Sequence, residues 1–384
     1  MNTSSLKVIL ILSDGINGHA NQSRGIAYWL SSETGAQIIE AVVPKLSRSE
    51  KLKARFMALS VSNGKTAPEK FVTRFNISGF IDKITEALSE YGTEDNGRDL
   101  LVISTGSTAA PFNLVVSELS GSRCATVMTP TIIGTEPFDF AVVPEHDFPG
   151  YAQNVLTTTG SPNMIIREDL HRAAEELLEE VPPHNSKIWS VLLGGDDANY
   201  TVSARWTREK VEAILKRAEE EEADVYITTS RRTSSEAASA LKKLKEKYTS
   251  LRYLLVANEV SFNPIPAMLD FSDLIFATED SVNMVSEAVT GGHKVILMRT
   301  EHKTGIKYFL QRVTKDFVVR DFLPAKFLWG IPRFDSVFEQ FAEHGYIVEF
   351  NSWLNADDDA SGSDERVVFN EAKRAAEWIL KAYK

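Results

Sequence analysis

A chain of 384 residues is too long for one ordinary hydrophobic core, so two domains are expected, and 43% hydrophobic with 25% charged residues is the composition of a soluble globular protein. A net charge of −11 excludes a general nucleic-acid binder, which needs a basic surface, and the single cysteine, Cys124, excludes an internal disulfide and a cysteine metal cluster. No apolar run approaches the roughly 18 residues of a spanning helix, and the N-terminus leads straight into a strand, so a cytoplasmic location is expected, or a peripheral one at the cytosolic face of a membrane.

Residues 7–12 form a nearly continuous apolar run, the pattern of a buried parallel strand. A glycine-containing loop, Ser13-Asp14-Gly15-Ile16-Asn17-Gly18-His19, and a helical pattern over 20–30 follow it. Strand, glycine loop and helix at the start of a chain mark the first unit of a doubly wound sheet. The loop is neither GxGxxG nor a P-loop, but its glycines let a backbone approach a ligand closely. His19, in a loop at a helix start, faces either a ligand or solvent. A second strand spans 37–43.

Residues 45–74 carry eight basic side chains against two acidic ones, Glu50 and Glu69, a local charge of +6. With Leu52, Phe56, Met57, Leu59 and Phe71 interleaved, the segment reads either as a surface that docks on an anionic membrane or as a solvated connecting helix. A strand at 99–104 runs into Thr105-Gly106-Ser107-Thr108, ahead of a helix at 111–119. Strands at 125–128 and 140–143 follow, the latter ending in Pro144-Glu145-His146-Asp147, where Glu145, His146 and Asp147 are candidate acid/base or substrate-binding groups. The acidic helix 168–180 and residues 181–184 read as the passage to a second domain.

The plan then restarts. Residues 188–193 are a strand, Gly194-Gly195-Asp196-Asp197 a glycine loop and 206–222 a long helix. A strand at 225–228 ends in Thr229-Ser230-Arg231-Arg232-Thr233, where two arginines beside a hydroxyl-rich helix start (235–248) can hold phosphate or form surface salt bridges. A strand at 274–277 is followed by Asp280 and Ser281, either of which can cap the helix that ends at Gly291-Gly292. A strand at 294–298, a segment at 303–313, a short strand near 317–319, a helical stretch at 334–343, an acidic loop at 357–364 and a C-terminal helix at 367–383 complete the reading. The fold class is α/β: two tandem Rossmann-like domains facing a central cleft.

The segments LSDGINGHANQSRGIA, VVPEHDFPGYAQNVLTTTGSPN, VLLGGDDANY, ITTSRRTSSEA and FATEDSVNMVSEAVTGGHKV together resemble the mitochondrial fission family named after the plant elongated-mitochondria proteins. Bacterial members of that family are regarded as glycosyltransferases of GT-B architecture. The resemblance implies an acceptor-side domain at 1–183, a nucleotide-sugar domain at 184–364, and a C-terminal helix, 365–384, that crosses back to the first. It implies that Gly194 and Gly195 approach the donor pyrophosphate and that Ser230, Arg231 and Arg232 contact phosphate. Asp280 and Ser281 would lie under the donor, and Glu287 would accept hydrogen bonds from the ribose. On the acceptor side it places Gly15, Gly18, Asn21, Gln22, Gly106 and His146. Gly106-Ser107-Thr108 and Met128-Thr129-Pro130 depart from the family pattern, and both departures fall in the acceptor half.

The activity so implied is metal-independent transfer of a sugar from a nucleoside-diphosphate sugar, a co-substrate, to a sugar or lipid-linked acceptor, with no cofactor. His19 is the first candidate for the catalytic base, with Asp14 and Glu145 behind it. A nucleotide-sugar epimerase of the same fold, or a non-catalytic membrane scaffold docking through residues 45–74, are the alternatives.

Overall fold

The computed structural model describes residues 6–92, 97–260, 262–320, 322–328, 330, 333–356 and 368–383. The loop expected at 357–364 and the first residue of the expected C-terminal helix, Val367, lie outside these. In chain order the elements are β1 (Val8–Ser13), α1 (Asn17–Thr34), β2 (Gln37–Val42), α2 (Arg48–Ser62), α3 (Pro68–Phe75), α4 (Ser78–Ser89), β3 (Leu100–Thr105), α5 (Gly106–Ser120), β4 (Arg123–Val127), β5 (Phe140–Pro144), β6 (Val155–Thr158) and α6 (Arg167–Glu180). They continue as β7 (Lys187–Leu193), β8 (Tyr200–Thr201), α7 (Ala204–Glu220), β9 (Ala223–Thr229), α8 (Ser235–Lys247), β10 (Leu251–Leu255), α9 (Ile265–Phe271), β11 (Leu274–Thr278), α10 (Val282–Thr290) and β12 (Val295–Met298). The chain ends with β13 (Glu301–His302), α11 (Ile306–Val319), α12 (Asp335–Glu343), β14 (Ile347–Glu349), α13 (Phe350–Leu354) and α14 (Glu371–Leu380).

Two compact units result. The first comprises Met1–Met164, Val313–Ile331 and Asn370–Lys384, the second Ile165–Arg312 and Pro332–Phe369. The dividing point expected at 183/184 falls at 164/165 instead, because α6 packs on α9 and gives Leu170 to the second unit's core. The last helix, α14, returns to the first unit, where it packs against α1.

Each unit is built on a six-stranded, wholly parallel sheet, in the orders β2-β1-β3-β4-β5-β6 and β10-β9-β7-β11-β12-β14. This is the Rossmann-like α/β class expected. The apolar runs are continuous because both faces of each sheet are covered. In β1, Val8, Leu10 and Leu12 point into a core shared with α2, α3 and α5, while Ile9 and Ile11 point into one shared with α1 and α14. In β7, Trp189, Val191 and Leu193 meet α7, α8 and Trp353, while Ile188 and Leu192 meet α9, α10 and α12. Period-2 alternation thus divides each strand between two cores. In both sheets the order reverses between neighbouring strands, β1 and β3 in one and β7 and β11 in the other. Parallel sheets place ligands outside the carboxyl ends of their strands at such a switch point.

Local departures have physical causes. α5 begins at Gly106 rather than 111, with Pro111 inside it. Proline has no N–H to offer the carbonyl four residues back, and that carbonyl, Ser107 O, accepts from Arg55 Nε of α2 at 3.4 Å. The strand expected near 317–319 is the end of α11, where the helix overrides the β-branched pair Val318-Val319. Residues 45–74 form α2 and α3, which bury Ala54, Ala58, Val61 and Phe71 and leave Leu52 and Phe56 largely exposed. No helix among the described residues is long and apolar enough to cross a membrane.

Gly25, inside α1, tests the packing. A Cβ there would come within 2.0 Å of the Asn163 carbonyl oxygen, a backbone atom that cannot swing aside. In an open helix Gly→Ala stabilises by about 1 kcal/mol. Here the clash reverses the sign, and Gly25→Ala is expected to destabilise by about 1–3 kcal/mol in chemical denaturation.

Candidate functional site

The second unit's switch point is closed by one carboxylate. Asp280, just after β11, is fully buried, and its Oδ2 accepts from the Gly195 backbone N–H at 2.9 Å and from Arg232 Nη2 at 2.8 Å. Asp280 Oδ1 is buried with no hydrogen-bond partner among the described residues. Burial pushes this carboxyl above its ordinary range, against the pull of the Gly195 N–H and Arg232. Gly194 N–H donates to Thr278 Oγ1 at 2.7 Å, and Thr233 Oγ1 donates to the Gly194 carbonyl at 2.6 Å. The ends of β7, β9 and β11 are thereby tied together.

The glycine loop is therefore not an open cradle. A Cβ on Gly194 would lie 2.0 Å from Asp280 Oδ1, and one on Gly195 would lie 2.2 Å from the Arg232 carbonyl carbon. The glycines make room for the protein itself. The N–H groups of Asp196 and Asp197 are likewise spent on Arg232 O and Tyr200 O. The N–H groups of Gly194 and Gly195 are thus both engaged within the protein. Ser230 Oγ accepts from Arg232 N–H at 3.1 Å and so shapes the turn. Arg232 is committed to Asp280, with Asp197 Oδ2 3.7 Å away, whereas Arg231 is exposed and has no ion-pair partner among the described residues. The helix cap is Ser281, which accepts from Met284 N–H at 3.4 Å.

On α10, Glu287 is half-buried and neither carboxylate oxygen has a partner among the described residues. Burial pushes its carboxyl up to about 7.

Three residues that the sequence reading missed lie beside it in the chain's order. Glu279, fully buried, accepts from Arg299 Nη1 at 2.9 Å, Thr300 N–H at 2.8 Å and His302 Nε2 at 2.9 Å. Arg299 also grips Glu349, at 2.8 Å from Nη2. The signal was a polar run, Arg299-Thr300-Glu301-His302, at the end of the strand that pairs with β11.

In the first unit, Asp14 Oδ2 and His19 Nδ1 are 3.0 Å apart, and Asp14 Oδ1 accepts from Ile16 N–H at 3.1 Å. Both Asp14 oxygens are thus engaged, one of them by the His19 ring. Gly15 takes φ +81°, a left-handed turn that a side chain would strain. Gly106, φ +78°, lies under the imidazole, since a Cβ there would be 3.2 Å from His19 Cε1. Gly18 and Gly106 thus join His19 at the β1/β3 switch point. One turn along α1, Ser23 Oγ meets Thr105 Oγ1 at 2.7 Å and fastens α1 to β3.

Other expected residues are not brought together. Asn21, two residues past His19 and so on the far side of the helix, accepts from Arg24 at 3.2 Å, while Gln22 is buried. Glu145 is exposed at the end of β5, three strand spacings or about 14 Å from β1. His146 is interior, and burial pushes it down to about 4. Its neighbour Asp147 is pushed up to about 6 by burial.

Two parallel Rossmann-like sheets, each with polar groups gathered at its switch point, define an α/β protein of the GT-B class. The fold matches that of a UDP-GlcNAc 2-epimerase from Methanocaldococcus jannaschii with a TM-score of 0.56 at 12% identity, over 99% of this chain and 100% of that one. A UDP-glucosyltransferase from Polygonum tinctorium aligns with a TM-score of 0.47 at 10% identity, over 98% of this chain and 99% of that one. No curated protein matches the sequence. The chain belongs to the family described as Mitochondrial fission ELM1, whose sequence profile matches residues 17–383.

Glu287 yields a signed prediction. Its carboxyl titrates at about 7 in the folded protein against an ordinary 4.5, so the folded state loses stability as pH rises between those values. Glu287→Gln, which cannot ionise, is expected to stabilise the protein by about 1–3 kcal/mol at pH 8 and negligibly at pH 4, read from melts at both.

Proposed function

We propose that the second unit binds a nucleoside-diphosphate sugar and that the chain is a glycosyltransferase, the first unit supplying His19 as base for the acceptor hydroxyl. The observation that carries the donor half is Glu287: a half-buried carboxylate without a partner, on the helix that follows a switch-point strand. Ribose hydroxyls are donors that would satisfy it. Arg231, exposed and unpaired, is the group best suited to the diphosphate, because Arg232 is already held by Asp280. The fold likeness to a UDP-GlcNAc 2-epimerase accords with a nucleotide-sugar ligand.

In the transfer, the acceptor O–H gives its proton to His19 Nε2 while its oxygen attacks the anomeric carbon. The bond from that carbon to the phosphate oxygen breaks, and the nucleoside diphosphate leaves with the electron pair. Asp14 fixes the ring through Nδ1 and stabilises the imidazolium that forms. Charge on the leaving diphosphate is met by Arg231.

A thermal-shift screen against UDP-, GDP-, ADP- and CMP-based nucleotides and their sugars tests the donor half. A ligand at 100 times its Kd should stabilise by about 2.7 kcal/mol, and the shift should vanish in Glu287→Ala and Arg231→Ala. Silence across the whole panel would remove the transferase reading in favour of a non-catalytic scaffold. With a donor identified, His19→Asn is expected to lower turnover by about 10²–10⁴ while the nucleotide shift persists. Release of an epimerised nucleotide sugar without an acceptor would assign epimerisation instead.

A further inference from the structure

The first unit's sheet ends on an unprotected edge. Of the four edges of the two six-stranded sheets, β6 is four residues long, β14 three, and β10 is broken by a register shift between Leu251 and Tyr253. β2 keeps an unbroken parallel register with β1 over six residues, with neither lysine nor proline among them. Short strands, bulges, lysines and prolines are what keep an edge from pairing further, and β2 has none of them. Gln37 N–H donates to Lys7 O at 2.8 Å and Val43 N–H to Ser13 O at 2.9 Å, so the odd-numbered residues of β2 face β1. The backbone N–H and carbonyl groups of Ile38, Glu40 and Val42 point the other way and have no partner among the described residues. β2, its neighbour β1 and the flanking α1 and α4 all belong to the first unit.

The side chains along this edge select the occupant. Ile38 and Val42 share one face of the strand with Glu40 between them, and are 42% and 59% exposed. Glu40 is held by Arg24 of α1 through both oxygens, at 2.7 Å from Nε and 2.8 Å from Nη2. On the other face Ile39 and Ala41 are half-buried against the core shared with α2 and α3. A hollow of about 560 Å³ between β2 and α4, lined by Ile39, Ala41, Phe80 and Ile84, leaves room beside the strand. The pattern is symmetric about Glu40. A second β2 laid antiparallel, Glu40 opposite Glu40, sets Ile38 against Val42 on one face and Ile39 against Ala41 on the other, so that every apolar side chain meets an apolar one. Sliding by two residues would instead set Glu40 opposite Ile38 or Val42. The two Glu40 carboxylates would repel if bare, but each is neutralised by its own Arg24.

We propose that two copies of this chain pair through β2, joining two six-stranded sheets into one of twelve across a two-fold axis at Glu40. The contact uses the same strand on both copies and so closes after two. The inference is independent of the donor reading.

Sedimentation velocity of the full chain over a range of concentrations is the first test, and a dimer is expected. Val42→Pro removes an N–H that points away from β1, a change an edge strand tolerates, and should raise the dimer's Kd about tenfold or more with little change in melting temperature. Ile38→Lys, which sets a charge against Val42 of the second copy, should do the same, and Leu52→Lys on α2, exposed but away from the edge, should not. Crosslinking reads the register. Residues opposed in a hydrogen-bonded pair have Cα atoms about 5.5 Å apart, within disulfide reach. Chains carrying Ile38→Cys mixed with chains carrying Val42→Cys should form a covalent dimer on mild oxidation, and either chain alone should not, since the native Cys124 is buried. A chain that stays monomeric at every concentration overturns the proposal, and the edge would then serve a different protein or none. So does a dimer that Val42→Pro and Ile38→Lys leave intact, or one whose mixed cysteine chains do not crosslink.

Discussion

The Asp280 carboxylate is the point on which the second unit's ligand edge depends. It joins β11 to the loop after β7 through Gly195 and to the turn after β9 through Arg232. These are three adjacent strands of one sheet. A buried carboxylate is expensive, and it is retained here because two donors, one of them charged, converge on a single oxygen. The contact also dictates the two glycines. Any side chain at 194 would strike the carboxylate, and any at 195 would strike the Arg232 peptide.

That closure redistributes the chemistry of the edge. Backbone N–H groups that look available in a glycine loop are consumed inside it, and one of the two arginines is a strut. Arg231 and Glu287 are left without side-chain partners among the described residues. The first unit is more economical: a single pair, Asp14 and His19, set over a glycine that begins the helix of the next strand. In each unit a carboxylate after a switch-point strand organises its neighbours, by orienting an imidazole in one and by bracing a loop in the other.

The parallel sheets were legible because continuous apolar runs ending in polar loops have few other readings, and the restart of the pattern near residue 187 gave the second unit. Glu287, Arg231 and His19 stand out in the sequence by residue type and place. The close packing of Gly194 and Gly195 on Asp280 and Arg232 does not, because a glycine required by the protein's own backbone and one required by a ligand look alike in a sequence. Glu279, Arg299 and His302 were missed for a related reason: their meaning is a three-way contact between the ends of two neighbouring strands, and neither stretch announces it alone. His146 stands in a polar run, yet its side chain is interior, which no local pattern distinguishes from an exposed one. That β2 is an edge was hidden because an apolar run announces a strand and not its neighbours, and only the structure reports the strand order.

Hydrogen–deuterium exchange with and without the nucleotide that scores in the thermal screen tests the central claim most directly. Amides of Gly194 to Asp197 are already hydrogen-bonded within the protein and should exchange slowly in its free form, with no further slowing on binding. Added protection should instead fall on α10, around Glu287. Rapid exchange of the loop in the free protein, followed by strong protection with nucleotide, would contradict the account and restore the glycine loop as the phosphate cradle.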